Sequence, residues 1–182
     1  MITLITGPMY GGKSTALVQK MERYFYAKKK VLFVKPKKDD RGYITHNGLT
    51  DWALDKKPDS IEIERWTDDV LSLCNKYDAI FVDEYFMIED NIKLCTYMTH
   101  TKFDIYFAGL LSTSENKLVT EAVDILPYCD DIIKLNGVCM ECGSQLGSYS
   151  MFKGTKTNEI EVGDKAYKCV CRECYYKNKK KL

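Results

Sequence analysis

The chain has 182 residues, 45% hydrophobic and 29% charged, with 27 basic and 26 acidic side chains and a formal net charge of +1. That is a folded, globular composition, with length for one good core or for one core and a small stapled appendage. The charge balance argues against a nucleic-acid-coating protein, no apolar run approaches a membrane span, and the first residues lack the regions of a secretion signal. A cytoplasmic protein with no membrane and no nucleic-acid partner is expected.

Met1 to Thr6 is a short apolar, β-branched run suited to a buried strand. Gly7-Pro8-Met9-Tyr10-Gly11-Gly12-Lys13-Ser14 follows, in the G-x-x-x-x-G-K-S pattern of a P-loop, with Thr15 next in line. From Ser14 the chain is free of Gly and Pro and reads as helix. Strand, glycine loop, helix is the context that gives the pattern meaning. The glycines let successive N–H groups turn inward around an anion, and the helix start adds a positive dipole end. Lys13 is expected to reach the β- and γ-phosphates of ATP, and Ser14 to hold Mg²⁺.

Val31 to Lys35 is a second strand candidate. The stretch from Pro36 to Thr50 is polar and aperiodic and holds Asp39, Asp40, Arg41 and His46, for which spacing alone favours a solvated loop. Ser60 to Arg65 alternates like a half-exposed strand. Thr67 is placed to cap a helix through Cys74, with Asp68 and Asp69 in its first turn. Ala79 to Val82 is a buried strand with two carboxylates at its end. Asp83 fits a Walker-B aspartate beside Mg²⁺, and Glu84 is placed to take a proton from an attacking hydroxyl. A helix over Glu89 to His100, a strand over Phe103 to Ala108, a polar loop from Leu110, a helix from Val119 stopped before Pro127, and a strand over Asp131 to Leu135 complete the pattern. This alternation implies an α/β fold, a mostly parallel sheet with helices on both faces, over residues 1–136.

Five of the eight cysteines crowd the last quarter. Cys139 and Cys142 form one C-x-x-C pair and Cys171 and Cys174 another, with 28 residues between the pairs. Two such pairs complete a tetrahedral thiolate shell for Zn²⁺, a structural site with no position left for water. A thioredoxin-like redox pair or free thiols are the alternatives, and Cys169 is a competing but spare ligand. Residues 137–182 are thus expected to be a small zinc-binding domain. The loop between the pairs, about 150–167, is either a lid held at both ends by metal or a plain hairpin.

Together these parts resemble the type II thymidine kinases, over nearly the whole length. The likeness rests on GPMYGGKST at 7–15, on Asp39 to Arg41 with Thr45-His46, on Val82 to Glu84, on VCMEC at 138–142, and on VCRECY at 170–175 after a loop ending at Tyr167. It implies ATP-dependent phosphorylation of the 5′-hydroxyl of thymidine, with Glu84 as base and Asp39 and Arg41 near the phosphates and Mg²⁺. It implies Cys139, Cys142, Cys171 and Cys174 as zinc ligands, a lasso of Ile160, Glu161, Val162 and Gly163 with Tyr167 over the nucleoside, and Met9 and Leu110 lining the base. It also implies a homotetramer inhibited by dTTP. The chain departs from the pattern at Tyr85, Phe86 and Met87, where the family has a small residue, Gln and Phe. It departs again at Leu111 for Asp, at Ser114 for a Phe against the base, and at Val119 for a second aromatic. Met87, Tyr85 or Phe86 is expected to refill that wall. A broader deoxynucleoside kinase is the alternative within the enzymes. A P-loop ATPase with a nucleic-acid-binding zinc module, ending in Lys177 to Lys181, is the alternative outside them.

Overall fold

The computed structural model describes residues 1–39, 57–98, 101–154 and 166–179. Six strands, β1 (Ile2–Thr6), β2 (Val31–Pro36), β3 (Asp59–Ile63), β4 (Ala79–Val82), β5 (Asp104–Gly109) and β6 (Asp131–Lys134), form one sheet in the order β3-β2-β4-β5-β1-β6. Every neighbouring pair is parallel. The four inner strands are almost wholly buried, which is why they read as unbroken apolar runs rather than alternating ones. The edge strands β3 and β6 are largely exposed.

Helix α1 (Lys13–Tyr26) covers one face, packing Leu17 and Met21 on Ile5, Phe33, Phe81 and Tyr106. Helices α2 (Asp68–Cys74), α3 (Asn91–Met98) and α4 (Thr120–Ile125) supply the other face, where Leu71, Leu94 and Ile125 join Leu4, Leu32, Ile80 and Phe107. The Thr67 hydroxyl accepts from the Val70 N–H at 3.4 Å, and Asp68 and Asp69 occupy the first turn of α2, the cap expected from the sequence. The α-helix ends at Ile125, before Pro127, as expected from the sequence. A 3₁₀ turn, Leu126–Tyr128, continues α4 and places Pro127 in its first turn, where a missing N–H costs nothing.

β1 lies between β5 and β6, and β4 lies beside β5. The C-terminal ends of β4, β5 and β1 therefore stand side by side, and the loops leaving them share the edge where open parallel sheets bind ligands.

A second, two-stranded antiparallel sheet pairs β7 (Tyr149–Phe152) with β8 (Tyr167–Val170), and α5 (Arg172–Lys179) follows. Cys139, Val170, Cys171 and Tyr175 form its small core. The segment expected as a lasso is thus joined at its base by a strand ladder, with Phe152 opposite Tyr167, rather than by the cysteines alone. Ile160, Glu161, Val162 and Gly163 lie outside the described residues, as do Arg41 and His46.

Candidate active site and cysteine cluster

The loop after β1 is shaped by what its glycines must avoid. A Cβ on Gly7 would stand 2.8 Å from the Leu135 carbonyl oxygen, and Gly12 sits at φ +77° as the cap of α1. Pro8, Met9 and Tyr10 form the crown, closed by the Gly11 N–H donating to the Pro8 carbonyl at 3.0 Å. Lys13 is buried, and its ammonium donates back across the loop to the same carbonyl at 2.9 Å. Thr15 follows in the first turn of α1. The loop thus brings N–H groups, a helix start and an ammonium into one small space, an arrangement suited to an anion.

The end of β4 meets this loop. The Ser14 hydroxyl donates to the Asp83 carboxylate, 3.0 and 3.2 Å from its two oxygens. Asp83 is buried and also accepts from the Glu84 N–H at 3.1 Å. Glu84 lies at φ +46°, ψ +44°, a left-handed conformation that costs a residue with a side chain about 1–3 kcal/mol. Its neighbours hold it there. The Asn91 amide donates to the Tyr85 and Ile88 carbonyls at 2.9 and 2.7 Å, and its own oxygen accepts from the Trp66 indole at 3.0 Å. Tyr85 is fully buried and donates its hydroxyl to the Leu110 carbonyl at 2.7 Å. Asn91 carried no signal in the sequence, because a buried amide in a first helical turn reads there as ordinary surface. Asp39 is buried just beyond β2, the strand beside β4.

In the C-terminal segment the Sγ atoms of Cys139, Cys142, Cys171 and Cys174 lie within 4.8 Å of one another, and Cys142 and Cys171 are 3.8 Å apart. A tetrahedron with Zn–S bonds of about 2.3 Å has edges of about 3.8 Å. The donor set and its spacing fit a structural zinc site. Burial works against a thiolate at Cys139, but the N–H groups of Cys171, Cys142 and Glu141 overcome it and bring that thiol down to about 6. Cys174 is pushed up to about 12, by burial first and then by hydrogen bonding to the other three. Four thiolates cannot share so small a volume without a cation, and a divalent ion is what would deprotonate all of them. Gly143, at φ +75°, turns the chain after the first pair, its N–H donating to the Cys139 carbonyl at 2.9 Å. Cys169 stands outside the cluster. Its sulfur lies 2.8 and 2.5 Å from where a Cβ would stand on Gly137 and Gly147, so it fills the space under a glycine bridge.

The family model for thymidine kinase matches residues 1–175. The chain belongs to the thymidine kinase family. It is 35% identical over 176 residues to the thymidine kinase of Variola virus (isolate Human/India/Ind3/1967), with 96% of each chain covered. It is 34% identical over 180 residues to that of Myxoma virus (strain Lausanne), again with 96% of each covered. A bacterial thymidine kinase, from Pseudothermotoga lettingae, is 32% identical over 182 residues, covering 97% of this chain and 95% of its own.

Within this thymidine kinase family chain, the residues read as a base pocket gather in one apolar cluster. Tyr85, Phe86, Leu110 and Val119 are buried in it, and Met9, Met87 and Leu111 pack against it. Tyr85 is committed to the core by its bond to Leu110, so the faces left to refill an aromatic wall are those of Phe86 and Met87. Ser114 is half-buried, and its carbonyl accepts from the Tyr175 hydroxyl. Tyr167, the first residue of β8, is buried edge-on to Phe152, with ring centres 5.3 Å apart. The Ser150 hydroxyl accepts from the Met9 N–H at 2.9 Å and so ties β7 to the loop after β1. Neither Ser150 nor Tyr175 was marked as a site residue by the sequence, since each acts on a partner more than 60 residues away.

Proposed function

We propose that the protein transfers the γ-phosphoryl group of ATP to the 5′-hydroxyl of thymidine, giving dTMP. The observation that carries this reading is the junction of Ser14, Asp83 and Glu84, set against Lys13 at one sheet edge in a chain of the thymidine kinase family. Gly7, Pro8, Met9, Tyr10, Gly11, Gly12, Lys13, Ser14 and Thr15 cradle the triphosphate. Ser14 and Asp83 would hold Mg²⁺, with Asp39 and Arg41 near the phosphates. When bound, that ion would neutralise charge on the phosphates. Glu84 accepts the hydroxyl proton while Lys13 meets the charge that develops in transfer. Met9, Met87, Leu110 and Ser114 line the nucleoside, and Ile160, Glu161, Val162, Gly163 and Tyr167 cover it. Zinc on the four cysteines is structural.

The same reading divides the chain at about residue 136 into a nucleotide-binding unit and a zinc-binding unit. It makes the enzyme a cytoplasmic homotetramer inhibited by dTTP. No described helix is long and apolar enough to cross a membrane. The deciding experiment incubates zinc-replete protein with labelled ATP, Mg²⁺ and a panel of nucleosides: thymidine, deoxyuridine, deoxycytidine, deoxyadenosine and deoxyguanosine. Label is expected in dTMP. No transfer to any member would end the proposal. Comparable transfer to deoxycytidine would favour the broader kinase that Ser114 and Val119, in place of two aromatic walls, allow.

A further inference from the structure

Tyr175 stands one residue after the ligand-type Cys174 and one helical turn after Cys171, whose carbonyl accepts the Tyr175 N–H at 2.9 Å. It is 2% exposed, and its ring stacks on Tyr149 at 4.5 Å and 20°. Its hydroxyl does not end inside this small core. It leaves it and donates to the Ser114 carbonyl at 2.8 Å, a contact 61 residues away in sequence. Ser114 is at the tip of a turn that closes on itself. Thr113 donates to the Lys117 carbonyl at 2.8 Å, and Val119 to the Leu111 carbonyl at 3.0 Å. The base of that turn carries Leu110, Leu111 and Val119, all in the apolar cluster with Phe86 and Met87. A bond at the tip of a self-closed turn fixes its tilt, and the tilt sets where the base residues sit.

We infer that Tyr175 is a positioning residue for the nucleoside pocket, holding the wall at 110–119 in register with the cysteine cluster. This rests on the thymidine kinase reading above. The second tie, Met9 to Ser150, joins the small sheet to another residue packed against the same cluster. The cysteine cluster thereby acts on substrate binding through two hydrogen bonds, each made by a side-chain hydroxyl, and that of Tyr175 can be removed while its ring stays in place.

The test is Tyr175→Phe in the zinc-loaded enzyme. The ring and its stack on Tyr149 remain, so zinc is expected to stay bound as in the unaltered protein. KM for thymidine is expected to rise about 2- to 10-fold, the size of one neutral hydrogen bond, with kcat and KM for ATP within twofold. Amide exchange across 110–119 should quicken while β1 and β4 stay protected. Val170→Ala, in the same small core but with no hydroxyl to offer Ser114, serves as the structural comparison. It should lower Tm and leave KM for thymidine unchanged. The inference is overturned if Tyr175→Phe leaves both KM and exchange at 110–119 unaltered. It is overturned equally if that variant loses zinc and mirrors Val170→Ala. Should the unaltered enzyme fail to phosphorylate thymidine, the functional reading falls, and the exchange measurement still decides the role of Tyr175 on its own.

Discussion

Glu84 combines a strained backbone with a buried carboxylate, and the two are separable by substitution. Glu84→Gln keeps size and hydrogen bonding but cannot take a proton. It should bind ATP within about threefold of the unaltered protein and lose about 10²–10⁴ in kcat, the range for a removed general base. Glu84→Gly should lose at least as much in kcat, yet it relieves the left-handed conformation, so its Tm should not fall. A scan in which Glu84→Gly melts well below the unaltered protein would show that the side chain, not the turn, stabilises this region. Gly109 is a second sensitive point. A Cβ there would lie 2.7 Å from the Tyr85 ring. Gly109→Ala should cost about 1–3 kcal/mol by overpacking and reduce kcat, because Tyr85 is the residue after Glu84; urea unfolding and a kinetic assay read the two effects. The gathering of residues at this scale was legible where it is contiguous: Lys13 and Ser14 within the glycine loop, Asp83 and Glu84 at the end of an apolar run, and the first pair meets the second in the fold. It was illegible where one residue supports another across the fold. Nothing local marks Asn91 as the clamp on 85–88, or Gly109 as the floor beneath Tyr85.

At the scale of elements, the inner strands were readable because burial on both faces writes itself as an unbroken apolar run, and α2 because Thr67 and two acids announce a start. The stop before Pro127 was readable too, since proline ends an α-helix; the 3₁₀ turn that follows was not, because proline is equally at home in its first turn. Two substitutions distinguish ornament from support here. Thr67→Ala should cost about 1 kcal/mol of stability and leave kinetics unchanged. Cys142→Ser breaks one corner of the thiolate shell, and mass spectrometry under native conditions should show zinc lost. Zinc binding there is folding free energy for the segment, so tryptic cleavage after residue 137 should accelerate sharply while the six-stranded sheet remains resistant.

Across the whole molecule the cysteines divide into two populations, the four of the cluster and the four outside it, of which Cys169 is raised by burial without joining the cluster. Burial pushes Cys74 and Cys95 up to about 12 and Cys129 up to about 11. These thiols stay protonated at pH 8 and should resist iodoacetamide in the folded protein. The four clustered sulfurs should be protected only by their ion. Chelation before labelling is expected to add modification at Cys139, Cys142, Cys171 and Cys174 and none at Cys74 or Cys95. Labelling of Cys74 at the rate of a free thiol would mean that the face covered by α2 opens far more readily than its packing implies.

The placement of β1 between two parallel partners has a consequence for how this protein can change. The crown proposed to grip the triphosphate grows from an interior strand and cannot move without tearing ladders on both flanks. The surfaces proposed to face the acceptor hang instead from turns and a short C-terminal annex outside that sheet. Over a lineage, such an architecture lets acceptor preference drift while donor chemistry stays fixed.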